Sequence, residues 1–181
     1  VRNMGKAVSV VVNAEDNLAI PLIDRINEMD ENAETLFITP DEAVTEITPT
    51  SLLIIVDTHN QDIVESPELY KKAKQVVVID HHRKMTNYIE NAVIFHHEPS
   101  ASSASEMVTE LVQYFGDAGK LSQYGAEALL AGIMLDTKSF VMRTGVRTFE
   151  AAAYLRKMGA DTVAVRSLFA NSMESYHEKT K

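Results

Sequence analysis

Residues 76–83 read VVVIDHHR, so a fully apolar run leads directly into an acid and two consecutive histidines. Four β-branched residues in a row are typical of a strand that is buried on both faces of a parallel sheet covered by helices. In such sheets, functional groups gather at the carboxyl ends of the strands. Carboxylate and imidazole groups are metal ligands, and no packing rule places three of them at the end of a buried strand. The stretch therefore predicts an α/β fold with metal-dependent chemistry near Asp80, His81 and His82.

A second apolar run, Leu52–Val56, also ends in an acid, Asp57. Between the two runs, Ser66-Pro67-Glu68 has the pattern of a helix start, with a Ser cap, Pro at the first position and an acid in the first turn. The spacing fits one strand-helix-strand crossover, so the strands are predicted to be parallel neighbours. A single Asp after a strand is more often a turn former than a ligand. Two matched strand ends favour convergence of Asp57, His81 and His82 on one site.

Composition limits the function classes. The chain has 181 residues, 45% of them hydrophobic, and no linker-like segment, which favours a single domain. It has no Cys, so any metal must be held by nitrogen and oxygen ligands. The formal charge of −9 and the lack of a Lys/Arg stripe argue against long nucleic acid as a partner. No apolar stretch reaches the roughly 18 residues of a membrane span, so we expect no membrane contact from this segment.

Strand and helix patterns alternate along the first half of the chain. A strand is predicted at Ala7–Val12, an amphipathic helix at Leu18–Met29, a short strand at Leu36–Ile38 and a fifth strand at Val93–Phe95. Thr39, with Glu42 three residues later, predicts another helix start. The pattern predicts a Rossmann-like, mainly parallel sheet with helices on both faces. No G-x-G-x-x-G or Walker motif is present.

The second half of the chain is predicted to be helical. Ser103 and Glu106 form a capping-box pattern before a helix with apolar residues at helical spacing. The next predicted helix reaches Asp136 at its C-terminal end. An anionic side chain there opposes the helix dipole at a cost of about 0.3–1 kcal/mol, which a bound cation would reverse. Asp136 is therefore the third candidate metal ligand.

Four motifs together resemble those of the DHH phosphoesterase family. They occur in the order typical of that family: Val56–His59, Ile79–Arg83, Glu98–Ser103 and Ala131–Phe140. The block Arg143–Arg156 looks most like the membrane-anchored bacterial cyclic-di-AMP phosphodiesterases of the GdpP type. The resemblance covers nearly the whole chain from Gly5 onward.

The resemblance implies an enzyme in which two divalent metals, commonly manganese, hold a bridging water that attacks phosphorus. By position, Asp57 resembles the carboxylate that bridges both metals, and His81 and Asp136 resemble ligands of one of them. His82 resembles the residue that contacts the substrate phosphate, and Asp80 would orient the neighbouring imidazole. The implied parent hydrolyses cyclic di-AMP to the linear dinucleotide, forms a homodimer, and works on the cytoplasmic face of the membrane that anchors it.

One part of the family pattern is absent from the sequence. The family's first motif, a His followed by Asp-x-Asp, is expected upstream of Gly5, and no Asp-x-Asp occurs in the 181 residues. The substrate-binding domain that usually follows, of the DHHA1 type, is expected beyond Lys181. Residues 1–181 are thus predicted to form a single DHH-type domain without its opening strand, inactive on its own and with an exposed sheet edge where that strand would pair.

Further residues carry weaker expectations. Arg143 and Arg147 could clamp phosphate, and a pair of surface arginines is an equal alternative. His59 could line the pocket or lie in a solvated loop, while His96-His97 matches no ligand position of the family. A tail at residues 174–181, with His177, is predicted to be solvated.

Two alternative functions stay open: another DHH hydrolase, such as a manganese pyrophosphatase or an oligoribonucleotide exonuclease, and a non-catalytic nucleotide-sensing module.

Overall fold

The computed structural model describes residues 1–13, 17–30 and 33–168, and the tail with His177 lies outside them. The described chain has five strands: β1 Val10–Val11, β2 Phe37–Ile38, β3 Leu52–Val56, β4 Gln75–Asp80 and β5 Ile94–His97. It has six helices: α1 Ile20–Met29, α2 Pro40–Glu46, α3 Pro67–Lys72, α4 Ala104–Gln113, α5 Gln123–Asp136 and α6 Val146–Lys157. Short 3-10 helices lie at Arg2–Met4, Ala33–Thr35 and Gly116–Gly119. The predicted α/β class, with a helical C-terminal part, is confirmed.

Strands β3, β4 and β5 form a parallel sheet with β4 in the centre. Val56 pairs with Ile79, and Asp80 pairs with His97, so the three carboxyl ends are level with one another. Valines 76–78 of β4 are buried, as four β-branched residues in a central strand predict. This register delivers the residues after β3, β4 and β5 to one edge of the sheet.

The N-terminal strands differ from the predicted single sheet. β1 and β2 pair in parallel with each other and form a separate two-stranded sheet, and β1 is two residues long instead of Ala7–Val12. In the described ranges no strand pairs with the outer edge of β3, and Leu52, Ile54 and Val56 are exposed on one face of the same strand. An unpaired edge with an apolar face agrees with a further strand docking there, which stays a prediction.

Helix caps form where the sequence predicts them. The Ser66 hydroxyl accepts a hydrogen bond from the Leu69 amide at the start of α3, the crossover helix between β3 and β4. Thr39 and Glu42 form a complete capping box at the start of α2. These caps satisfy amide groups that the first helical turn leaves without intrahelical partners, and they fix where each helix begins.

The capping box predicted for α4 forms only in part. The Ser103 hydroxyl accepts from the Glu106 amide, as predicted. The Glu106 carboxylate, however, accepts from the hydroxyls of Ser102 and Thr148, both at 2.6 Å. Glu106 is buried, and these hydroxyls supply hydrogen bonds that a capping box would not. The carboxylate thereby joins the start of α4 to the start of α6.

The helical part packs around α5. Its buried core consists of Ala126, Leu130, Ala131, Ile133, Met134, Ala151, Leu155, Ala160 and Val165. Helices α4, α5 and α6 contact one another, and α4 also contacts β4, so the helical part continues the core of the sheet. No helix in the described part of the chain is both long enough and apolar enough to cross a bilayer.

A partly buried ion pair joins α1 to α5. The Glu127 side chain is 1% exposed and accepts from the Arg25 guanidinium at 2.7 and 3.2 Å, from the Gln123 amide at 3.0 Å and from the Asp161 backbone amide at 3.3 Å. Burial opposes ionisation of Glu127, but these hydrogen bonds outweigh it and lower the pKa of the carboxyl. Glu127 therefore stabilises the fold in its charged form.

The substitution Glu127→Gln is expected to lower the free energy of unfolding by about 1–3 kcal/mol at neutral pH, because it removes the charge from the buried partner of a hydrogen-bonded ion pair. A lowered pKa contributes stability above the unfolded value of 4.5, and this contribution is lost as pH falls through the folded value. The difference between the two proteins should therefore shrink below about pH 4.5. Urea unfolding of both proteins at two pH values measures this difference in the free energy of unfolding. Glu46→Gln, at an exposed position of α2, should stay within about 0.5 kcal/mol of the unsubstituted protein.

Candidate metal centre

Three side chains meet where the sheet edge and the end of α5 come together. Asp57 follows β3, His81 follows β4, and Asp136 is the last residue of α5. The His81 Nε2 atom lies 3.2 Å from Asp57 Oδ1 and 3.4 Å from Asp136 Oδ2. His82 joins the group, with its Nδ1 atom 4.0 Å from Asp57 Oδ1. Asp57, His81 and His82 present ligand atoms within 4.8 Å of one another.

His81 has a buried ring nitrogen without a hydrogen bond. Its side chain is 2% exposed, and its Nδ1 atom lies 3.3 Å from the carbonyl oxygen of Ala101. A carbonyl only accepts, so Nδ1 carries the proton in the neutral ring and the lone pair is on Nε2. Nε2 has no hydrogen-bond partner, although it lies between two carboxylates. A buried lone pair facing two carboxylate oxygens is an arrangement that fits a divalent cation.

The charges of Asp57, His81 and Asp136 also indicate a divalent cation. Contact with the Asp57 carboxylate raises the pKa of His81 against the effect of burial, although the two atoms are not aligned for a regular hydrogen bond. Burial, followed by the charge of Asp57, raises the pKa of Asp136. Two nearby carboxylates repel each other, and a cation between them removes that repulsion. Nitrogen and oxygen donors of this kind suit a divalent ion of borderline or hard character.

Local backbone structure directs both carboxylates. Asp57 has a φ of 64°, in the left-handed region that Asp tolerates better than most residues, and this turns the chain immediately after β3. Asp136 depends on the approach of α5 to α4. A Cβ atom on Gly132, one turn before Asp136, would lie 2.1 Å from the Ser105 Oγ atom, so the two helices pack this closely only because residue 132 is glycine.

Asp80 connects the two histidines of the pair. Its carboxylate is fully buried, and Oδ1 accepts from the His81 amide at 2.8 Å, the His82 amide at 3.2 Å and the His82 Nδ1 atom at 2.8 Å. Burial opposes its ionisation, but hydrogen bonds from His82 and His59 outweigh burial and lower the pKa of Asp80. Because His82 is half-exposed and uses Nδ1 for Asp80, its Nε2 atom is free to meet a ligand.

A second group has the composition of a metal site but not its chemistry. His59, Asp80 and His97 also present ligand atoms within 4.8 Å of one another. Both ring nitrogens of His59 are engaged, one with Asp80 and the other with the Met85 amide. His97 Nε2 donates to the His82 carbonyl at 2.6 Å. These hydrogen bonds leave His59 no lone pair for an ion, so we assign this group to support of the His81-His82 segment.

The structure separates the two candidate arginines. The Arg147 guanidinium is paired with the carboxylates of Glu98 and Glu110, which raise its pKa. Arg147 and Glu110 also line a surface depression of about 400 Å³ that contains none of the candidate ligands. Arg143 is exposed. Its positive charge lowers the pKa of Asp136, although burial and the charge of Asp57 raise that pKa by more. Arg143 is thus the arginine whose charge reaches the site.

Sequence reasoning missed His59. The sequence predicts either a pocket-lining or a solvated residue, whereas the side chain is 1% exposed and forms no part of the open site. No local pattern marks it, because its partners Asp80 and Met85 lie more than 20 positions away. The only available signal was its place two residues after Asp57.

The fold and the site define a class: a parallel α/β domain with a cluster of carboxylate and imidazole groups, a candidate metal site, at the carboxyl ends of its strands. The chain belongs to the DHH family, since the sequence model described as "DHH family, N-terminal domain" matches residues 5–133. This confirms the family resemblance. A solved structure of an exopolyphosphatase-related protein from Bacteroides fragilis has the same fold, with a TM-score of 0.72 at 21% identity over 94% of this chain and 49% of that chain.

Curated relatives are closer in sequence. A protein from Geobacillus thermodenitrificans named "Cyclic-di-AMP phosphodiesterase GdpP" is 50% identical over 144 residues, which cover 80% of this chain and 22% of the relative. The Bacillus subtilis protein of the same name is 47% identical over 145 residues, again covering 80% of this chain and 22% of the relative. The chain thus matches about a fifth of the length of these relatives.

Proposed function

We propose that this chain is the metal-binding domain of a phosphodiesterase that hydrolyses cyclic di-AMP to the linear dinucleotide. The observation that carries the proposal is the unpartnered, buried Nε2 atom of His81 between Asp57 and Asp136. Identity of 50% to a cyclic-di-AMP phosphodiesterase supports the substrate. Dinucleotides are small, which agrees with the acidic charge of the chain and its lack of a basic stripe.

Asp57, His81 and Asp136 would hold divalent metal in this proposal, with Asp57 shared between two ions in the complete enzyme. We propose manganese, because one imidazole and two carboxylates form a mixed nitrogen and oxygen set that this ion accepts. When bound, such ions lower the pKa of a coordinated water and neutralise charge that develops on phosphate oxygens. The half-exposed site leaves room for substrate beside the ligands.

The remaining residues would bind and orient the substrate. His82 would donate from Nε2 to a phosphate oxygen, while the buried Asp80 carboxylate holds its other nitrogen and balances the charge of the ring. Arg143 would add a positive charge at the Asp136 side. A phosphate-binding role for Arg147 stays a prediction. The Arg147 guanidinium would have to leave Glu98 or Glu110 before it could bind a phosphate through two parallel hydrogen bonds. A homodimeric parent anchored in the membrane, with this domain on the cytoplasmic face, completes the proposal.

The test uses a chimera in which the matching part of this chain replaces the corresponding 145 residues of the Bacillus subtilis relative. With manganese present, we expect the chimera to convert cyclic di-AMP to the linear dinucleotide. Chromatography of the reaction mixture measures this conversion. Pyrophosphate and short oligoribonucleotides serve as competing substrates. Preferred hydrolysis of either one would assign the domain to a different phosphoesterase, and tight binding of cyclic di-AMP without turnover would make it a sensor.

A further inference from the structure

His59 is the buried histidine that neither the metal centre nor the proposed reaction uses. Its ring packs edge-on against the rings of Phe95, with centroids 6.1 Å apart, and His97, with centroids 5.1 Å apart. Phe95 in turn contacts Tyr88, so the histidine lies within a small aromatic cluster below the sheet edge. Most buried polar side-chain atoms have hydrogen-bond partners, so the partners of the two ring nitrogens identify the task of His59.

The tautomer of His59 follows from its two contacts. Nε2 lies 3.0 Å from the backbone nitrogen of Met85, and an amide N–H only donates, so Nε2 is the acceptor. The proton of the neutral ring is then on Nδ1, which donates to Asp80 Oδ2. One ring thus holds the Asp80 carboxylate on one side and the loop after β4 on the other.

The carboxylate carries this restraint to the metal centre. Asp80 Oδ2 is held by His59, and Oδ1 accepts from the amides of His81 and His82 and from the His82 ring. If Oδ2 lost its partner, the Asp80 side chain could rotate, and all three Oδ1 contacts would shift together. His59 is therefore placed to control the direction of both imidazoles without touching metal or substrate.

The segment after β4 is also attached to His59 and His97 through its backbone. Met85 donates to the His59 ring, Ile89 donates to the His59 carbonyl at 2.9 Å, and the His82 carbonyl accepts from His97. These bonds hold a segment that has no helix or strand of its own between Asp80 and β5. The loop thereby gains the rigidity that precise ligand placement needs.

We propose that His59 is a positioning residue, which acts through Asp80 to hold His81 Nε2 between Asp57 and Asp136 and to direct His82 Nε2 toward the ligand side. The statement about His82 and a phosphate rests on the proposed function, whereas the statement about ring geometry and metal binding does not. The contact with Asp80 is the essential one, and the contact with Met85 supports it.

Two substitutions separate the contacts. In His59→Asn, the side-chain amide lies near the former Nδ1 position and can still donate to Asp80, but the acceptor for Met85 is lost. In His59→Gln, the amide oxygen reaches the former Nε2 position and can accept from Met85, while the donor to Asp80 is lost. His96→Asn and His96→Gln, made at the half-buried residue next to His97 on β5, are the matched controls.

The measurements use the 181-residue chain and need no substrate. Long-range ¹H–¹⁵N spectra report which ring nitrogen of each histidine carries a proton and whether that proton exchanges slowly. Calorimetry with Mn²⁺ reports affinity. For His59→Gln we expect about 10-fold or more weaker manganese binding and loss of the slowly exchanging Nδ1 proton of His82, because supporting residues of metal ligands typically contribute this much. His59→Asn should stay within about threefold of the unsubstituted chain, as should both controls.

Three results would overturn the proposal: unchanged affinity and His82 signals in His59→Gln, greater loss in His59→Asn than in His59→Gln, or equal loss in both with His82 signals unchanged. The last result would mean that His59 only stabilises the fold. Thermal unfolding of each variant shows whether it is folded at the temperature of measurement. Since neither readout involves hydrolysis, failure of this inference can be told apart from failure of the proposed function.

Discussion

Asparagine in place of Asp57 or Asp136 is expected to abolish hydrolysis of cyclic di-AMP by the chimera, with turnover reduced on the order of 10³-fold or more. Asparagine keeps the shape of the side chain but removes the negative charge that holds a cation beside His81. The loss should appear in kcat, because metal-assisted stabilisation acts mainly on the transition state. Initial rates at saturating manganese and substrate measure this loss in kcat.

Asp41→Asn provides the matched control, since Asp41 is exposed in the first turn of α2 and belongs to neither metal-ligand group. It should leave turnover within about twofold of the unsubstituted chimera, as surface substitutions far from a site usually do. Retention of a tenth or more of the activity by Asp57→Asn would remove that residue from the metal centre.

The 181-residue polypeptide alone is expected to bind manganese weakly at one site and to show no measurable hydrolysis of cyclic di-AMP. Within the described residues, only the group around His81 combines free donors with a suitable geometry, and Asp57, His81 and Asp136 are too few to hold two ions about 3.5–4 Å apart. We expect the polypeptide to hydrolyse cyclic di-AMP at least about 10³-fold more slowly than the chimera does. Without two ions, the lowered pKa of the water and the neutralisation of charge on the phosphate are lost together.

His81→Ala should weaken manganese binding by this polypeptide further, because a neutral nitrogen ligand is lost. His96→Ala should have no effect on the calorimetric titration. Two tight manganese sites, or turnover comparable with the chimera, would show that residues such as His59 or His97 act as ligands and that the hydrogen bonds assigned to them are broken in solution.

The residues at the strand ends could be predicted because their signals are local. An apolar run followed by an acid marks β3 and β4, and one crossover length between Asp57 and Asp80 predicts parallel neighbours with level ends. Asp136 could be predicted because a helix C-terminus disfavours an anion. These three arguments use only periodicity, chain length and charge, which the sequence states directly.

Other features depend on partners that are distant in the chain. The partner of Arg147 on α4, Glu110, lies 37 positions away, so the sequence predicts either a phosphate role or a surface arginine and gives no sign of this ion pair. The tautomer of His59 depends on a backbone amide in another loop. The split between the two sheets depends on which strand edges find partners, and side-chain patterns describe the faces of a strand better than its edges.

The turn that follows Asp136 has a consequence for protein engineering. Lys138, Ser139 and Phe140 have φ values of 47°, 57° and 66°, and left-handed backbone costs about 1–2 kcal/mol for each residue that is not glycine. Phe140 stacks on Phe149 of α6 at 5.7 Å, so its side chain has a reason to remain. Glycine at 138 or 139 would relieve conformational strain and raise thermostability, while adding freedom to the segment beside Asp136. Selection for thermostable variants at these positions would therefore trade precise placement of Asp136 for heat resistance.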